Sequence, residues 1–391
     1  MTGSTPIFDF TPYLATILSI SPDEVDVRIL SGGFTNLTAR ATFNRPMSFP
    51  THFDFPTPIS SVILKKATPY MHALPSHAVP IHRQAVEARA MRILHGVEPA
   101  VPGVVEVLVG TPALKVPQLV FHDTGQNILW MTDLGSGKIL TDYILSESPS
   151  RSKLEELADA FGRFTATLHS ATRNPSPEQV SSLLDCPNVM GFLTSDAARI
   201  IREESPEWKK DPNGTQVLID WMQRVLDHES NSEPCLGMVD FWAGNTVVST
   251  DGELCLLDWE YFGLSDPGCE LGMYVGHLHL GLLLGDPSAV ISTAIQAFVA
   301  KLASTYFTAY PDVRSDHFKR RFLVTYGREL IVGPGLFARK FDATSKARSV
   351  EAGLQCLRAA SSGGGTFDYG LLKALPPEIV DGVMLYLAAA T

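Results

Sequence analysis

Two stretches of the chain carry carboxylate and amide side chains in a pattern that suits phosphate chemistry. Asp240 and Asn245 stand at the two ends of the segment DFWAGN, and a predicted β-hairpin leads from there to Asp258. Mg²⁺ prefers carboxylate, amide, water and phosphate oxygens as ligands. A carboxylate that is free of metal can orient a hydroxyl group and accept its proton. The pattern therefore predicts a magnesium-dependent site, and the alternative is a surface loop with an Asx turn.

A glycine-rich turn follows the first predicted strand. Ser31, Gly32 and Gly33 lead into Thr35 and Asn36. Glycine allows backbone N–H groups to approach phosphate oxygens without a Cβ in the way. Two-glycine turns are common, so this turn is weak evidence by itself. The sequence contains neither a Walker A motif nor GxGxxG, which excludes P-loop kinases and Rossmann enzymes.

A family resemblance rests on two segments, MVDFWAGN (238–245) and LLDWE (256–260). With them the chain resembles the aminoglycoside phosphotransferase/choline kinase family, which has a protein-kinase-like fold. The segments SGGFTNLTAR (31–40) and SVILKKA (61–67) are similar to those of fungal small-molecule kinases in this family. The resemblance implies an ATP-dependent, Mg²⁺-requiring kinase. Such an enzyme moves the γ-phosphate to a hydroxyl of a small molecule, for example a cationic amine or a natural product.

The resemblance also implies a role for each residue that matches the family pattern. Asp240 is expected to be the catalytic base or the substrate-orienting carboxylate, and Asn245 and Asp258 are expected to hold Mg²⁺. Trp242 and Glu260 are candidates for contact with the acceptor, although Trp242 is equally open to a packing role. The residues expected to bind ATP are Ser31, Gly32, Gly33, Thr35, Asn36, Lys65, Glu87, Thr132 and Leu134.

Lys65 ends the predicted strand VILK and is expected to contact the α- and β-phosphates. Lys66 is the alternative, because both sides of this strand are apolar and the alternation does not choose between them. Glu87 lies in a predicted helix and is expected to pair with Lys65, although a solvent-facing position is also open. Thr132 and Leu134 lie in a hinge strand whose backbone is expected to read adenine. The alternative is an edge strand without a binding role, which would have the same pattern of residues.

The chain departs from the family pattern at the start of the catalytic loop. The family has His-Gly-Asp, whereas this chain has Met238, Val239 and Asp240. Because the His is a scaffold residue, we expect Met238 to replace a polar anchor with apolar packing while the chemistry is retained. Two rival hypotheses are a kinase-like nucleotide-binding protein without phosphoryl transfer (a pseudokinase) and another nucleotide-dependent transfer on the same fold. The acidic residues of DPGCEL (266–271) are expected to act as structural caps.

The order of the predicted elements indicates an α+β, protein-kinase-like fold with two lobes. Short β-type runs dominate before a hinge near Thr132 to Gly137, and amphipathic helices such as Leu154 to His169 dominate after it. We expect a nucleotide-binding lobe at 1–134 and a helical lobe with the catalytic loop and acceptor site at 135–391. His277 and His279 are expected to pack within a helix rather than to bind a metal.

Composition restricts the classes of partner. Acidic residues number 42 and basic residues 31, for a net charge of −11, which argues against nucleic acid and anionic membranes. The hydrophobic share of 45% is ample for a core and excludes a disordered chain. The most apolar stretch, Met273 to Gly285, contains two histidines and is shorter than the ~20 residues that span a bilayer. The expected partner is a small-molecule acceptor.

Cysteine usage and the N-terminus indicate a reducing environment. The chain has five cysteines and no CxxC pair, which is atypical of a disulfide framework or a zinc site. The first residues, MTGSTPIFDF, do not have the basic and apolar regions of a signal peptide. The expectation is a cytoplasmic protein, either a monomer or a homodimer.

Overall fold

The computed structural model describes most of the chain. The described residues are 8–31, 35–49, 53, 55–72, 78–97, 101, 103–147, 149–181, 183, 189–228, 234–283, 289–336, 342–362, 369–375 and 377–388. Gly32 and Gly33 of the predicted phosphate loop lie outside these residues.

The first third of the chain forms a five-stranded antiparallel sheet with helices packed around it. The elements of this part are α1 (Phe10–Leu18), β1 (Val25–Ile29), β2 (Asn36–Met47), β3 (Ile59–Ala67), α2 (Arg83–Leu94), α3 (Val104–Gly110), β4 (Leu114–Lys115), β5 (Leu119–Asp123) and β6 (Ile128–Thr132). The strand order in the sheet is β1-β2-β3-β6-β5, and every neighbouring pair is antiparallel.

The two faces of β3 contact different neighbours, because successive side chains of a strand point to opposite sides. Val62 and Leu64 are fully buried on the side that packs against α1. Ile63 lies on the other side and packs with Met91 of α2. Lys65 shares the side of Ile63, so the strand directs its ammonium group toward α2.

The remainder of the chain is mainly helical. Its elements are β7 (Gly137–Ile139), α4 (Leu140–Glu147), α5 (Arg151–Ala171), α6 (Pro177–Ser181), α7 (Val189–Glu204), α8 (Pro206–Lys210), α9 (Pro212–Gln223), β8 (Cys235–Gly237), β9 (Thr246–Ser249), β10 (Leu254–Leu256), β11 (Gly263–Ser265), α10 (Pro267–Leu283), α11 (Ala289–Ala309), α12 (Asp316–Leu336), α13 (Ala343–Ser361) and α14 (Pro377–Leu387).

Helix α10 lies at the centre of the helical part and is buried along most of its length. Gly268, Gly272 and Gly276 recur every four residues on the side that meets α12. A Cβ at Gly272 would lie 2.4 Å from the backbone oxygen of Phe322, so the two helices approach too closely there for any other residue. This close contact fixes the helix that supports the catalytic loop.

Two small sheets connect the helices to the predicted site. Strands β9 and β10 form the predicted antiparallel hairpin, within a sheet of order β4-β10-β9-β7. Strands β8 and β11 pair separately. The N–H of Leu257 donates to the carbonyl of Asn245 at 2.9 Å. The hairpin therefore brings the end of the catalytic loop next to the segment that carries Asp258.

The structure confirms the predicted two-lobed α+β architecture and the helix predicted at Leu154 to His169. The division at residue 134 stays a prediction. Residues Val101 and Leu114, which precede it, are buried in the large core of the helical part. Helix α11 is long and apolar enough, over Val290–Ala309, to cross a membrane by length and composition, and 44% of that window is buried inside the protein.

Candidate active site

Lys65 lies between two carboxylates at the junction of the lobes. Its Nζ lies 2.7 Å from Oε1 of Glu87 on α2 and also donates to Oδ1 of Asp258. Lys65 and Glu87 are buried, whereas the Asp258 side chain is 45% exposed. One ammonium group thus connects the sheet, α2 and the segment after β10. These are the three elements that the sequence predicted to meet at bound phosphate.

The charges of these three residues stabilise one another. Burial alone would lower the pKa of the Lys65 ammonium, but the carboxylates of Asp258 and Glu87 raise it well above its usual value. Burial raises the pKa of Glu87, and the charge of Lys65 opposes that shift. Lys65 is therefore a permanent cation whose position is set by Glu87 and Asp258.

The choice between the two lysines of β3 follows from strand geometry. Lys66 lies on the opposite face from Lys65, with its Nζ 4.3 Å from the ring centre of Phe8. It also donates to the carbonyl of Gln126 at 2.7 Å. Of the two lysines, it is Lys65 that contacts Glu87 and Asp258. The geometry therefore supports Lys65 as the lysine that binds phosphate.

The catalytic loop, here residues 238–245, ends in a short 3₁₀ turn. Nδ2 of Asn245 donates to the carbonyl of Asp240 at 2.9 Å, and its backbone N–H donates to the carbonyl of Trp242. Asn245 is buried. The bond from Nδ2 fixes the plane of the Asn245 side-chain amide. The Oδ1 of Asn245 is then the atom that can bind a metal ion. The two polar ends of the loop are therefore joined within the loop itself.

Burial and neighbouring charge change the acidity of Asp240. Burial raises the pKa of its carboxyl group to about 7, and the carboxylates of Glu260 and Asp258 add to the shift. The charge of Glu329 acts in the same direction, and that of Arg328 acts against it. A carboxylate with a pKa near neutrality is suited to accept a proton from a hydroxyl group.

Glu270 on α10 holds the start of the catalytic loop. Its two carboxylate oxygens accept from the N–H groups of Met238 at 3.2 Å and Val239 at 2.7 Å. The hydroxyl of Ser265 donates to the same carboxylate at 2.6 Å. Nε2 of His169 lies 3.7 Å from Glu270. The loop is therefore held through its backbone, and this anchor does not depend on the side chain of Met238.

Met238 itself is buried in the large core, which confirms the expected apolar packing at that position. The expectation that acidic residues of the segment 266–271 act as caps is also confirmed for Asp266. Its Oδ1 accepts from the N–H groups of Gly268 and Cys269 at the start of α10. Its Oδ2 lies 2.7 Å from Nε2 of His317.

Trp242 packs over the catalytic loop. A Cβ at Gly244 would lie 2.3 Å from its ring, and its ring centre lies 5.2 Å from that of His277. His277 in turn contacts Glu329 on α12, with Nε2 and Oε2 3.0 Å apart. Trp242 remains partly exposed. The structure thus gives it packing contacts, and its proposed contact with the acceptor stays a prediction.

Both histidines of α10 contact side chains of α12. His277 contacts Glu329, and Nδ1 of His279 lies 2.9 Å from the hydroxyl of Tyr326. Among the described residues, no group of three or more His, Cys, Asp or Glu side chains could hold a metal ion by itself. These contacts agree with the packing role expected for His277 and His279.

The hinge segment is attached to the sheet by an ion pair. Nε of Arg40 on β2 lies 2.8 Å from Oδ2 of Asp133, between Thr132 and Leu134. The N–H of Thr132 donates to the carbonyl of Gln118, so this amide is used within the sheet. The role of Thr132 and Leu134 in adenine binding stays a prediction.

The model of one family, described as "Phosphotransferase enzyme family", matches residues 62–314 of the chain. This match spans Lys65, Asp240 and Asp258, and it covers more than half of the sequence. The chain belongs to this family. It is thus a small-molecule kinase by class, as the family resemblance implied.

Curated relatives of the phosphotransferase include two named 4-hydroxytryptamine kinase. That of Psilocybe cubensis is 28% identical over 303 residues, which cover 75% of this chain and 78% of the relative. That of Psilocybe cyanescens is 27% identical over 277 residues, which cover 68% of this chain and 71% of the relative. A solved spectinomycin phosphotransferase, in complex with ADP and spectinomycin, aligns over 97% of this chain and 98% of its own at 12% identity, with a TM-score of 0.48.

The donor atoms of the phosphotransferase fit Mg²⁺. The amide oxygen of Asn245 and the partly exposed carboxylate of Asp258 are oxygen donors at neighbouring ends of one hairpin. Mg²⁺ usually takes one or two protein carboxylates and completes its shell with water and phosphate oxygens. Two protein ligands beside the permanent cation of Lys65 are therefore consistent with a magnesium–nucleotide complex, although no cluster of three acidic ligands occurs among the described residues.

Sequence reasoning missed two residues of the site. Arg83 at the start of α2 is fully buried and contacts Glu260, and Glu270 holds the catalytic loop. The segment 266–271 drew attention to Glu270 only as a cap, and no local pattern marked Arg83. Of the predicted phosphate loop, Ser31 and Thr35 lie within the described residues on either side of Gly32 and Gly33, and Ser31 is exposed.

Proposed function

We propose that this phosphotransferase uses ATP and Mg²⁺ to phosphorylate a hydroxyl group of a small molecule. The observation that carries the proposal is the position of Lys65 between Glu87 and Asp258. This arrangement provides a fixed cation for phosphate oxygens directly beside a carboxylate that can ligate metal.

The proposed roles follow from the contacts of each residue. Asp258 and Asn245 would hold Mg²⁺, which when bound neutralises charge on the phosphates. Lys65 would bind phosphate oxygens, and Ser31, Gly32, Gly33, Thr35 and Asn36 would surround them. Asp240 would orient the acceptor hydroxyl and accept its proton. The backbone near Thr132 and Leu134 would bind the adenine.

A hydroxylated amine is the proposed acceptor class. Two relatives that cover most of the chain are named for a hydroxylated tryptamine. The partly exposed ring of Trp242 lies two positions from Asp240, and aromatic rings attract both cations and other rings. These two observations support an aromatic amine over a sugar.

The test is a screen for ATP consumption over aminoalcohols, sugars and hydroxylated aromatic amines, with mass spectrometry to detect an added phosphate. The Asp258→Asn variant serves as the blank. The proposal predicts phosphorylation of at least one amine by the wild type, and turnover lower by roughly 100-fold or more in the variant. Nucleotide binding without transfer to any acceptor would instead favour a pseudokinase. A product without phosphate would favour a different transfer.

A further inference from the structure

Three consecutive residues after β10 contact three different parts of the first lobe. Asp258 accepts from Lys65 on β3, and the N–H of Trp259 donates to Oε1 of Glu87 on α2 at 3.4 Å. Glu260 reaches the beginning of β2. The segment 258–260 thus carries a proposed metal ligand and is attached to the sheet and α2 at the same time.

Glu260 accepts hydrogen bonds from three side chains. Its Oε1 accepts from the hydroxyl of Thr35 at 2.9 Å. Its Oε2 accepts from Nδ2 of Asn36 at 2.9 Å and from Nε of Arg83 at 3.1 Å. Both carboxylate oxygens are therefore occupied by groups of the first lobe.

Arg83 completes the network from the start of α2. Its Nη2 donates to the carbonyl of Thr35 at 3.0 Å and to Oδ1 of Asn36 at 2.8 Å. Its Nη1 donates to the carbonyl of Pro80 at 2.8 Å. The guanidinium group therefore holds the same two residues that Glu260 holds, from the other side.

Burial makes this network sensitive to change. Arg83 is 0% exposed and Glu260 and Asn36 are each 4% exposed. Removing one partner of a buried ion pair leaves an uncompensated charge, whereas removing both partners is often tolerated. A buried polar network with every member bonded fixes a single geometry rather than several.

We propose that Arg83 and Glu260 form a clamp that fixes Thr35 and Asn36 relative to Asp258 and thereby sets the affinity for Mg·ATP. Glu260 then acts as a positioning residue rather than as a contact of the acceptor. The proposal rests on the proposed function, because it assigns the nucleotide to the space between the start of β2 and Asp258.

The geometry favours an effect on the nucleotide over one on the acceptor. Thr35 and Asn36 directly follow the glycine turn, and Asp258 carries the proposed metal contact. The clamp joins these two sides of the nucleotide site, whereas Trp242, the proposed acceptor contact, packs against Gly244 of its own loop and against His277 on α10. Loosening the clamp should therefore leave the KM for the acceptor almost unchanged.

The first experiment compares Glu260→Gln with a matched control, Asp159→Asn. Asp159 also accepts from three side chains, those of Arg163, Lys301 and Thr305, but it joins α5 to α11. Affinity for Mg·ATP is measured by calorimetric titration of the full-length protein, and hydrogen exchange is measured over residues 36–47. We expect Glu260→Gln to weaken Mg·ATP binding at least tenfold and to speed exchange, while the control stays within twofold.

The second experiment separates positioning from stability with the double variant Arg83→Met/Glu260→Met. Removing both charges should recover the thermal stability that Glu260→Gln loses, yet Mg·ATP affinity should remain low because Thr35 and Asn36 have lost their partners. Recovery of affinity together with stability would overturn the clamp, as would tight binding by Glu260→Gln. A wild type that does not bind Mg·ATP would overturn the proposed function itself.

Discussion

The N–H of Val239 donates to Oε1 of Glu270 at 2.7 Å, and Val239 makes this bond with φ of 65°. This backbone region is sterically unfavourable for a β-branched residue, and the family pattern has glycine at this position. The strain persists because Glu270 binds the two adjacent amides of Met238 and Val239 from a buried helix. The anchor on α10 thus maintains the loop geometry despite the change from Gly to Val.

Val239→Gly should raise the free energy of unfolding by roughly 0.5–1 kcal/mol, because relief of the backbone strain exceeds the added flexibility of the unfolded chain. Val247→Gly is the control, since Val247 has an extended conformation in β9 and glycine should destabilise it there. Chemical denaturation of both variants tests this difference. Loss of stability in both would show that Val239 is not strained.

Glu270→Gln should lower the free energy of unfolding by about 1–3 kcal/mol, because one amide of the loop would then face an amide group instead of an oxygen. The turnover number should also fall, with little change in the KM for ATP, because the loop that carries Asp240 loses its position. Steady-state kinetics and thermal melts check both effects. Glu207→Gln is the control, since it breaks a partly buried ion pair with Arg358 that joins α8 to α13. Equal effects of the two variants would contradict the assignment.

The activity should depend on the ionisation of Asp240. Its carboxyl pKa of about 7 means that the proton-accepting form is the minority below neutrality. The value of kcat/KM should therefore rise about tenfold per pH unit below about pH 7 and level off above it. A pH–rate profile tests this, and a profile that is flat from pH 5 to 8 would exclude Asp240 as the base.

Ionisation of the Asp240 carboxyl group should lower the free energy of unfolding as the pH rises. The native carboxyl keeps its proton up to about pH 7, whereas an unfolded aspartate loses it near pH 4, so the unfolded state binds fewer protons between these values. Asp240→Asn does not ionise, so at pH 8 it should be more stable than the wild type by up to roughly 2 kcal/mol, after allowance for partial solvent contact. Denaturation at pH 8 and at pH 4 should show this gain shrinking toward the acid side.

Asp258→Asn should lower turnover by roughly 100-fold or more, because it removes the charge proposed to ligate Mg²⁺. The fold should remain, since asparagine also tolerates the left-handed backbone of Asp258, whose φ is 62°, and Lys65 keeps Glu87 as a partner. Asp251→Asn, at the exposed turn of the same hairpin, is the control. Turnover of Asp258→Asn close to that of Asp251→Asn would refute the metal role.

Elements with a clear hydrophobic period were predictable from the sequence, and those without one were not. The amphipathic helix α5 and the β9–β10 hairpin agree with their predictions. Helix α10 is buried on nearly every side, so no polar face marks its period. Its boundaries and its close approach to α12 at Gly272 emerge only from packing.

The sequence by itself determined which chemical groups are available, because Lys65, Asp240, Asn245 and Asp258 belong to short motifs whose spacing is local. Tertiary structure decided how these groups are held. Lys65 rather than Lys66 faces Glu87 because of the pleat of β3 within the folded sheet.

The residues that hold the site could be found only in the folded chain. Glu260 contacts Arg83, and Glu270 contacts Val239, across long separations in sequence. Bonds between distant residues leave no periodic pattern, because they depend on how separate elements pack rather than on the local conformation of either one.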